Sequence, residues 1–284
     1  MSILNKKLNT LELSLLDEGK GLEGIFSLQR DLMEGYIKNK ALPEYPLDLS
    51  LRDSQKTIRH ITGAFVEELS EAFTVYEKLF EAINANSPHI PRDTRMTEYL
   101  AAMNEEIADS LHFFIELLIY ANIDEGSIKA YYSRMLKEEL IPESIYNENN
   151  TLATMLQVSI YSNNKSGHNQ RGYNVKLLRP DQYGFEDNNC TLGFRVYHPS
   201  YFLLLKDILW TITNNLYKAQ NSLKAKAWRK QETKVDLGKF QLDVMECFLS
   251  YFCLIAFLGI SEEALFEIYC KKNKINFDRQ NNNY

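Results

Sequence analysis

The chain has 284 residues, of which 45% are hydrophobic and 25% are charged, with only 12 Gly and 7 Pro. This composition is typical of a folded protein with a sizeable core and excludes a loop-dominated or disordered chain. The formal net charge of −6 argues against binding to duplex DNA or to an anionic membrane, because both require a basic surface. A small phosphate-bearing ligand remains compatible, since a bound cation reverses the local sign of an acidic pocket.

No targeting or membrane signal is evident in the sequence. The first twenty or so residues lack the apolar core of a signal peptide. No uninterrupted apolar run approaches the ~18 residues of a membrane span. The four cysteines show no CxxC spacing, and three of them lie in apolar helical context, where free buried thiols are expected. We therefore expect a cytoplasmic protein that spans no membrane.

Four helices are predicted in the N-terminal half, where apolar residues recur every three or four positions. Their expected ranges are Leu22–Ile37, Ser54–Asn84, Thr97–Ala121 and Ser127–Leu140. Pro-containing segments separate the first helix from the second and the second from the third, as expected at helix ends.

The segment Asn147–Pro199 differs in character, because it is rich in Asn, Gly and Tyr. Three short runs within it alternate between polar and apolar residues: Met155–Tyr161, Tyr173–Leu178 and Leu192–Tyr197. Such alternation, bounded by turn residues, predicts a small β-containing insertion at 147–199.

Helical periodicity returns after the insertion. The expected ranges are Tyr201–Ala227, Leu237–Leu258 and Ser261–Lys272, and Ser261 is a predicted N-cap followed by two glutamates. The fold predicted from the whole pattern is an all-α helical bundle that forms a single domain over residues 1–284, interrupted once by the insertion.

Two acidic clusters lie within long predicted helices. Glu68 and Glu71 share a face of the second helix, and Glu106 and Asp109 share a face of the third, because residues three apart on a helix are neighbours. Like charges at this spacing destabilise a helix by about 0.2–0.5 kcal/mol per pair, and a hard divalent cation removes that cost. The alternative interpretation is two solvated helix faces, with Glu67 and Glu105 as further acidic candidates. Two clusters of matching form favour a Mg²⁺ site.

These motifs resemble a known family. Glu68-x-x-Glu71, followed by Glu106-x-x-Asp109-x-x-His112-Phe113, is similar to the signature of the all-α nucleoside triphosphate pyrophosphohydrolases, which include MazG-type enzymes and dimeric dUTPases. The Asp-x-Leu-His-Phe sequence at 109–113 resembles the dUTPase branch. The resemblance implies that the four carboxylates bind Mg²⁺ and that Glu71 activates the attacking water. We expect His112 to be a core or supporting histidine, because Mg²⁺ prefers oxygen ligands.

The C-terminal residues extend the resemblance. By composition alone, the run of Lys, Asn and Arg after residue 270 would be a frayed, soluble terminus. Their order resembles the Lys-x-x-x-Asn-x-x-Arg-Gln-x-x-x-Tyr motif of dimeric dUTPases, here formed by Lys272, Asn276, Arg279, Gln280 and Tyr284. The resemblance implies that Lys272 and Arg279 contact phosphate, and that Asn276 and Tyr284 lie near the sugar.

Further candidate binding residues lie elsewhere in the chain. Gln29 resembles the base-reading Gln of the family, and its amide can pair with a donor and an acceptor on a pyrimidine edge. The family often has Asn one helical turn later, where this chain has Met33. The segment Tyr217–Asn221, followed by Trp228, resembles bacteriophage-type members; Lys218 and Asn221 are possible contact residues there, or parts of an ordinary helix surface.

The sequence therefore predicts a Mg²⁺-dependent enzyme that hydrolyses dUTP to dUMP and pyrophosphate. The resemblance also implies a homodimer whose substrate is a deoxynucleoside triphosphate, with no nucleic acid bound. A dCTP or dual dCTP/dUTP pyrophosphatase is one alternative, which Met33 keeps open. A non-catalytic helical interaction protein, with the insertion as its binding surface, is another.

Overall fold

The computed structural model describes residues 10–84, 92–163, 199–224 and 235–282. These residues form α-helices and no strands, which confirms the predicted all-α fold. The helices are α1 (Thr10–Asp17), α2 (Gly21–Lys38), α3 (Arg52–Asn84), α4 (Arg92–Tyr120), α5 (Glu125–Lys137), α6 (Thr151–Asn163), α7 (Pro199–Ser222), α8 (Leu237–Phe257) and α9 (Glu262–Asn281). A short 3-10 helix, Glu143–Ile145, joins α5 to α6.

The centre of the bundle is the antiparallel pair α3 and α4. Phe65 of α3 packs against Phe114 of α4, with ring centroids 4.6 Å apart, and Tyr251 of α8 closes an aromatic triangle with them. The Tyr251 hydroxyl lies 3.0 Å from both the Ser110 hydroxyl and the Ile107 carbonyl oxygen. These buried contacts fix the rotation of α4 about its axis, and with it the direction in which the acidic residues of α4 project.

Helices α7 and α8 form a second antiparallel pair. Asn215 donates to the Ser250 hydroxyl, and Ser222 donates to Asp243. By length and composition α8 could cross a membrane, but most of its surface is buried inside the protein, where Phe240 and Phe248 are inaccessible. Its apolar character is explained by its place in the core.

Helix α9 is longer than predicted. Ser261 caps it by accepting from the backbone N–H of Ala264, as expected, but the helix continues to Asn281 instead of stopping at Lys272. It packs against α2 and α4. At Gly35 the backbone of α2 comes so close to the Gln280 amide that a Cβ would lie 2.3 Å from its oxygen. The close packing at Gly35 keeps the C-terminal end of α9 on the body of the protein.

The predicted strand at Met155–Tyr161 is wrong, because this run lies within α6. Leu152, Met155, Leu156 and Val158 are all buried, so α6 is covered on most sides. The sequence of a helix that is buried on all sides shows no amphipathic stripe. A short run of it that contains β-branched residues then resembles the pattern of a strand. The other two predicted strands lie outside the described residues.

Candidate active site

The acidic clusters of α3 and α4 face each other. Because the two helices run antiparallel, Glu68 lies opposite Asp109 and Glu71 lies opposite Glu106. Carboxylate oxygens of Glu68, Glu71 and Glu106 lie within 4.8 Å of one another. The structure thus brings together three of the four predicted metal ligands, at the edge of the core and within reach of solvent.

The convergence of these charges is visible in their pKa values. Burial, followed by the charges of Asp109, Glu106 and Glu71, raises the pKa of Glu68 to about 7. Burial and the neighbouring carboxylates also raise the pKa of Glu106. Uncompensated carboxylates of this kind favour protonation until a cation is supplied. An all-oxygen donor set at this spacing fits a hard divalent ion such as Mg²⁺.

Asp109, the fourth predicted ligand, is paired with a lysine. Lys272 Nζ lies 2.6 Å from Asp109 Oδ2 and 3.0 Å from Glu105 Oε1, and its side chain is 5% exposed. Burial raises the pKa of Asp109, whereas the hydrogen bond and charge of Lys272, and the charge of Arg279, lower it. Lys272 therefore supplies the positive charge on the α4 side of the cluster, while Glu67 is exposed on α3.

The motif residues of α9 share one face of that helix. Lys272, Asn276 and Arg279 stand at positions i, i+4 and i+7, which a continuous helix aligns. Lys272 is buried in the acidic cluster, Asn276 is half-buried and Arg279 is exposed. Gln280 is held beside α2 by donating to the Leu32 carbonyl oxygen. Tyr284 lies outside the described residues.

One turn along α4 from the acidic cluster is a buried polar group of three residues. Gln29 Oε1 of α2 lies 2.8 Å from His112 Nδ1 and 2.7 Å from the Tyr269 hydroxyl of α9, which donates to it. The His112 ring stacks on Tyr269, with centroids 4.2 Å apart. Burial, followed by the charge of Lys272, lowers the pKa of His112 to about 3, so its ring is neutral. His112 is thus a buried, neutral histidine of the core and not one of the converging carboxylate group.

One nitrogen of this group has no partner. A neutral ring that donates from Nδ1 to Gln29 keeps a lone pair on Nε2, and this buried atom makes no hydrogen bond with any described residue. Met33, one turn further along α2, is also buried. A ligand with an N–H group would satisfy His112 Nε2.

Sequence reasoning missed Glu116. It is 8% exposed, lies on the α4 face that carries Asp109 and His112, and has its pKa raised to about 7 by burial. The sequence does single it out, since Glu116 is the only charged residue between Phe113 and Tyr120. In contrast, Lys218 is exposed on α7 and donates to Asn215 of its own helix. Asn221 is exposed on the same helix, and Trp228 lies outside the described residues.

Comparison with known proteins gives one match. Residues 205–284 match the family model described as dUTPase, a little over a quarter of the chain that includes α8, α9 and the Lys272 motif. No curated protein and no solved structure matches the chain. The match supports assigning the chain to the dUTPase family, and it arises from a part of the sequence that does not contain the acidic clusters.

We expect Lys272→Met to lower the free energy of unfolding by about 1–3 kcal/mol in EDTA, because it leaves the half-buried carboxylates of Asp109 and Glu105 without their cation. Urea denaturation followed by circular dichroism measures this change. Millimolar Mg²⁺ should recover part of the loss by taking the place of the missing charge.

Lys56→Met is the matched control, since Lys56 pairs with Asp53 at a fully solvated site and should change stability little. Equal effects of the two substitutions would show that Lys272 does not neutralise the cluster.

Proposed function

We propose that this protein belongs to the dUTPase family and is a Mg²⁺-dependent enzyme that hydrolyses dUTP to dUMP and pyrophosphate. The observation that carries the proposal is the meeting of two independent motifs. Carboxylates of α3 and α4 converge on one point, and the family-matched helix α9 brings Lys272 against the same point. A metal–triphosphate complex carries charges of both signs. Carboxylates bind its metal ion and cationic side chains bind its phosphates, so a site that contains both suits such a ligand.

Glu68, Glu71, Glu106 and Asp109 would hold the metal. Bound there, Mg²⁺ would neutralise phosphate oxygens and the charge that develops on them during hydrolysis. The fit rests on the described geometry: three carboxylates lie within 4.8 Å of one another, and their mutual repulsion contributes to the raised pKa of Glu68.

The remaining chemistry belongs to side chains around the cluster. Glu71, the exposed member of the three, would orient and deprotonate the attacking water. Lys272 would contact a phosphate oxygen while it still holds Asp109, and Arg279 would reach the outer phosphates from its exposed position two turns later. Asn276 lies between these two residues on the same face, on the side of Lys272 away from His112, and would contact a phosphate.

The base would lie against Gln29 and His112. The unpaired Nε2 of His112 accepts an N–H, and the Gln29 amide N–H₂ can donate to an oxygen or ring nitrogen beside it. Uracil offers N3–H next to O4, and cytosine offers the N4 amino group next to N3. Both bases satisfy this pair, and so do the corresponding edges of guanine and adenine, so the polar groups set the hydrogen-bonding edge and the family match favours uracil.

A dCTP or dual dCTP/dUTP pyrophosphatase is the second candidate. Met33 supports it, because this buried side chain stands where dUTPases often have Asn and offers no hydrogen bond to the base.

A non-catalytic interaction protein would bind metal and nucleotide without turnover. We also propose a cytoplasmic location for the enzyme.

Pyrophosphate release from a panel of deoxynucleoside triphosphates with Mg²⁺ tests the proposal. We expect turnover of dUTP, with or without dCTP, and little turnover of purine nucleotides. Glu71→Gln should lower kcat by about 10²–10⁴-fold, since general base catalysis contributes that much. Glu77→Gln, at a half-buried glutamate of the same helix that pairs with Lys206, should leave kcat unchanged.

Turnover of no nucleotide, or full activity in Glu71→Gln, would contradict the respective parts of this proposal.

We also propose that the chain forms a homodimer through α7. Leu203, Trp210 and Tyr217 stand seven residues apart on this helix and are 62%, 70% and 54% exposed. A spacing of seven residues puts large apolar side chains on one face of a helix. A second copy, related by a two-fold axis through Trp210, would place Leu203 of each chain against Tyr217 of the other, which makes the stripe self-complementary.

Light scattering coupled to size-exclusion chromatography measures this association. The wild-type protein should have twice the chain mass of 33.1 kDa, and Trp210→Glu should reduce it to one chain mass. Leu140→Glu, at an exposed leucine between α5 and the 3-10 helix, should remain dimeric. A wild-type protein of single mass, or a dimeric Trp210→Glu variant, would exclude this interface.

A further inference from the structure

Glu116 is a nearly buried carboxyl group without a partner. Its residue is 8% exposed, and it makes no hydrogen bond or ion pair within the part of the chain that the structure describes. It stands in the otherwise uncharged run Phe113–Tyr120. A carboxyl group with so little access to water and no described protein partner favours a ligand that supplies one.

Its location places it beside the proposed base site. Asp109, His112 and Glu116 follow one another at three- and four-residue steps along one face of α4. At 1.5 Å per residue, Glu116 lies about 6 Å beyond His112 and about 10 Å beyond Asp109 along the helix axis. The charge of Glu116 also acts on Tyr269, the residue on which His112 stacks. The carboxyl group therefore faces the space between α4 and α9.

Two unpaired groups are thus adjacent on this face. His112 Nε2 can accept one N–H, and the Glu116 carboxyl lies one turn further from the acidic cluster. A nucleotide whose phosphates lie at Asp109 would extend its base in this direction. The edge of a pyrimidine carries N3 and, next to it, the substituent at position 4, which is an oxygen in uracil and an amino group in cytosine.

We propose that Glu116 determines base specificity by contacting the substituent at position 4 of the pyrimidine, and that it allows the site to take both uracil and cytosine nucleotides. A protonated carboxyl donates to the O4 of uracil. An ionised carboxylate accepts from the N4 amino group of cytosine. The inference rests on the proposed function, because that function puts a deoxypyrimidine nucleotide in this site.

The electrostatics of the region support both forms. Burial raises the pKa of Glu116 to about 7, so the protonated and ionised forms coexist near neutral pH. The charge of Glu116 acts on Tyr120 of α4 and Tyr269 of α9, and His112 lies one turn away on α4. Tyr45, in the loop before α3, interacts with Tyr120.

None of these neighbours changes charge between pH 6 and 8. Burial lowers the pKa of His112 to about 3 and raises the pKa of Tyr45, Tyr120 and Tyr269 above the ordinary tyrosine value. Neither uracil nor cytosine ionises in this range. A change of base preference with pH would therefore report on Glu116.

Binding of dUMP and dCMP to the metal-free protein, measured by calorimetry at pH 6, 7 and 8, tests the inference without depending on catalysis. Relative affinity for dCMP over dUMP should rise with pH, by about tenfold or more over the range, because each pH unit changes the ratio of ionised to protonated carboxyl tenfold. A group whose titration changes the affinities for dCMP and dUMP by the same factor leaves the ratio of the two affinities unchanged.

Glu116→Gln, which keeps the shape and cannot ionise, should make the preference independent of pH. Glu262→Gln is the matched control, because Glu262 is half-buried with a raised pKa but pairs with Asn150 on another side of the bundle. This variant should keep the wild-type pH dependence.

A wild-type preference that does not change with pH, the same change in Glu116→Gln, or binding of neither nucleotide would overturn the inference. Its failure is separable from failure of the proposed function. Turnover of dUTP with a constant preference would remove only the role of Glu116. A pH-dependent preference without turnover of any triphosphate would remove only the enzymatic function.

Discussion

The antiparallel packing of α3 on α4 determines where the charges of this protein meet. Rings of Phe65 and Phe114 lock the two helices in register, and the same register places Glu68 and Glu71 opposite Asp109 and Glu106. Apolar packing thus stabilises an arrangement that electrostatics alone would oppose, because the carboxylates repel one another and raise each other's pKa. These carboxylates need positive charge nearby, and the described side chains supply only part of it. Lys272 supplies it on the α4 side, by pairing with Asp109 and Glu105.

The other groups of the proposed site lie in a line along the same face of α4. The acidic cluster comes first, then the neutral His112 held by Gln29 and Tyr269, then the buried Glu116. Helix α9 runs alongside in the opposite direction, so its Lys272 reaches the cluster and its Tyr269 reaches the histidine. The order of metal, phosphates and base in a nucleotide matches the order of charged and polar groups along these two helices.

The fold was largely predictable because amphipathic periodicity survives in helices with one buried face. The acidic pairs and their shared faces could be read from spacing alone, and the structure brings three of those carboxylates within 4.8 Å. Periodicity failed at α6, which is buried on most sides, and at the end of α9, where the polar residues after Lys272 look like a frayed terminus but pack against α2. The pairing of Lys272 with Asp109 joins residues far apart in sequence, so no local pattern could reveal it. Glu116 was missed because it has no second acidic residue three or four positions away, so it forms no recognisable motif in the sequence.

A divalent cation should bind where these helices bring their carboxylates together. Anomalous diffraction from crystals grown with Mn²⁺ and a non-hydrolysable dUTP analogue tests it most directly. We expect a manganese peak within coordination distance of Glu68, Glu71 and Glu106, with the phosphates of the analogue between the metal and Lys272. A peak elsewhere, or a nucleotide bound with no metal at these carboxylates, would contradict it.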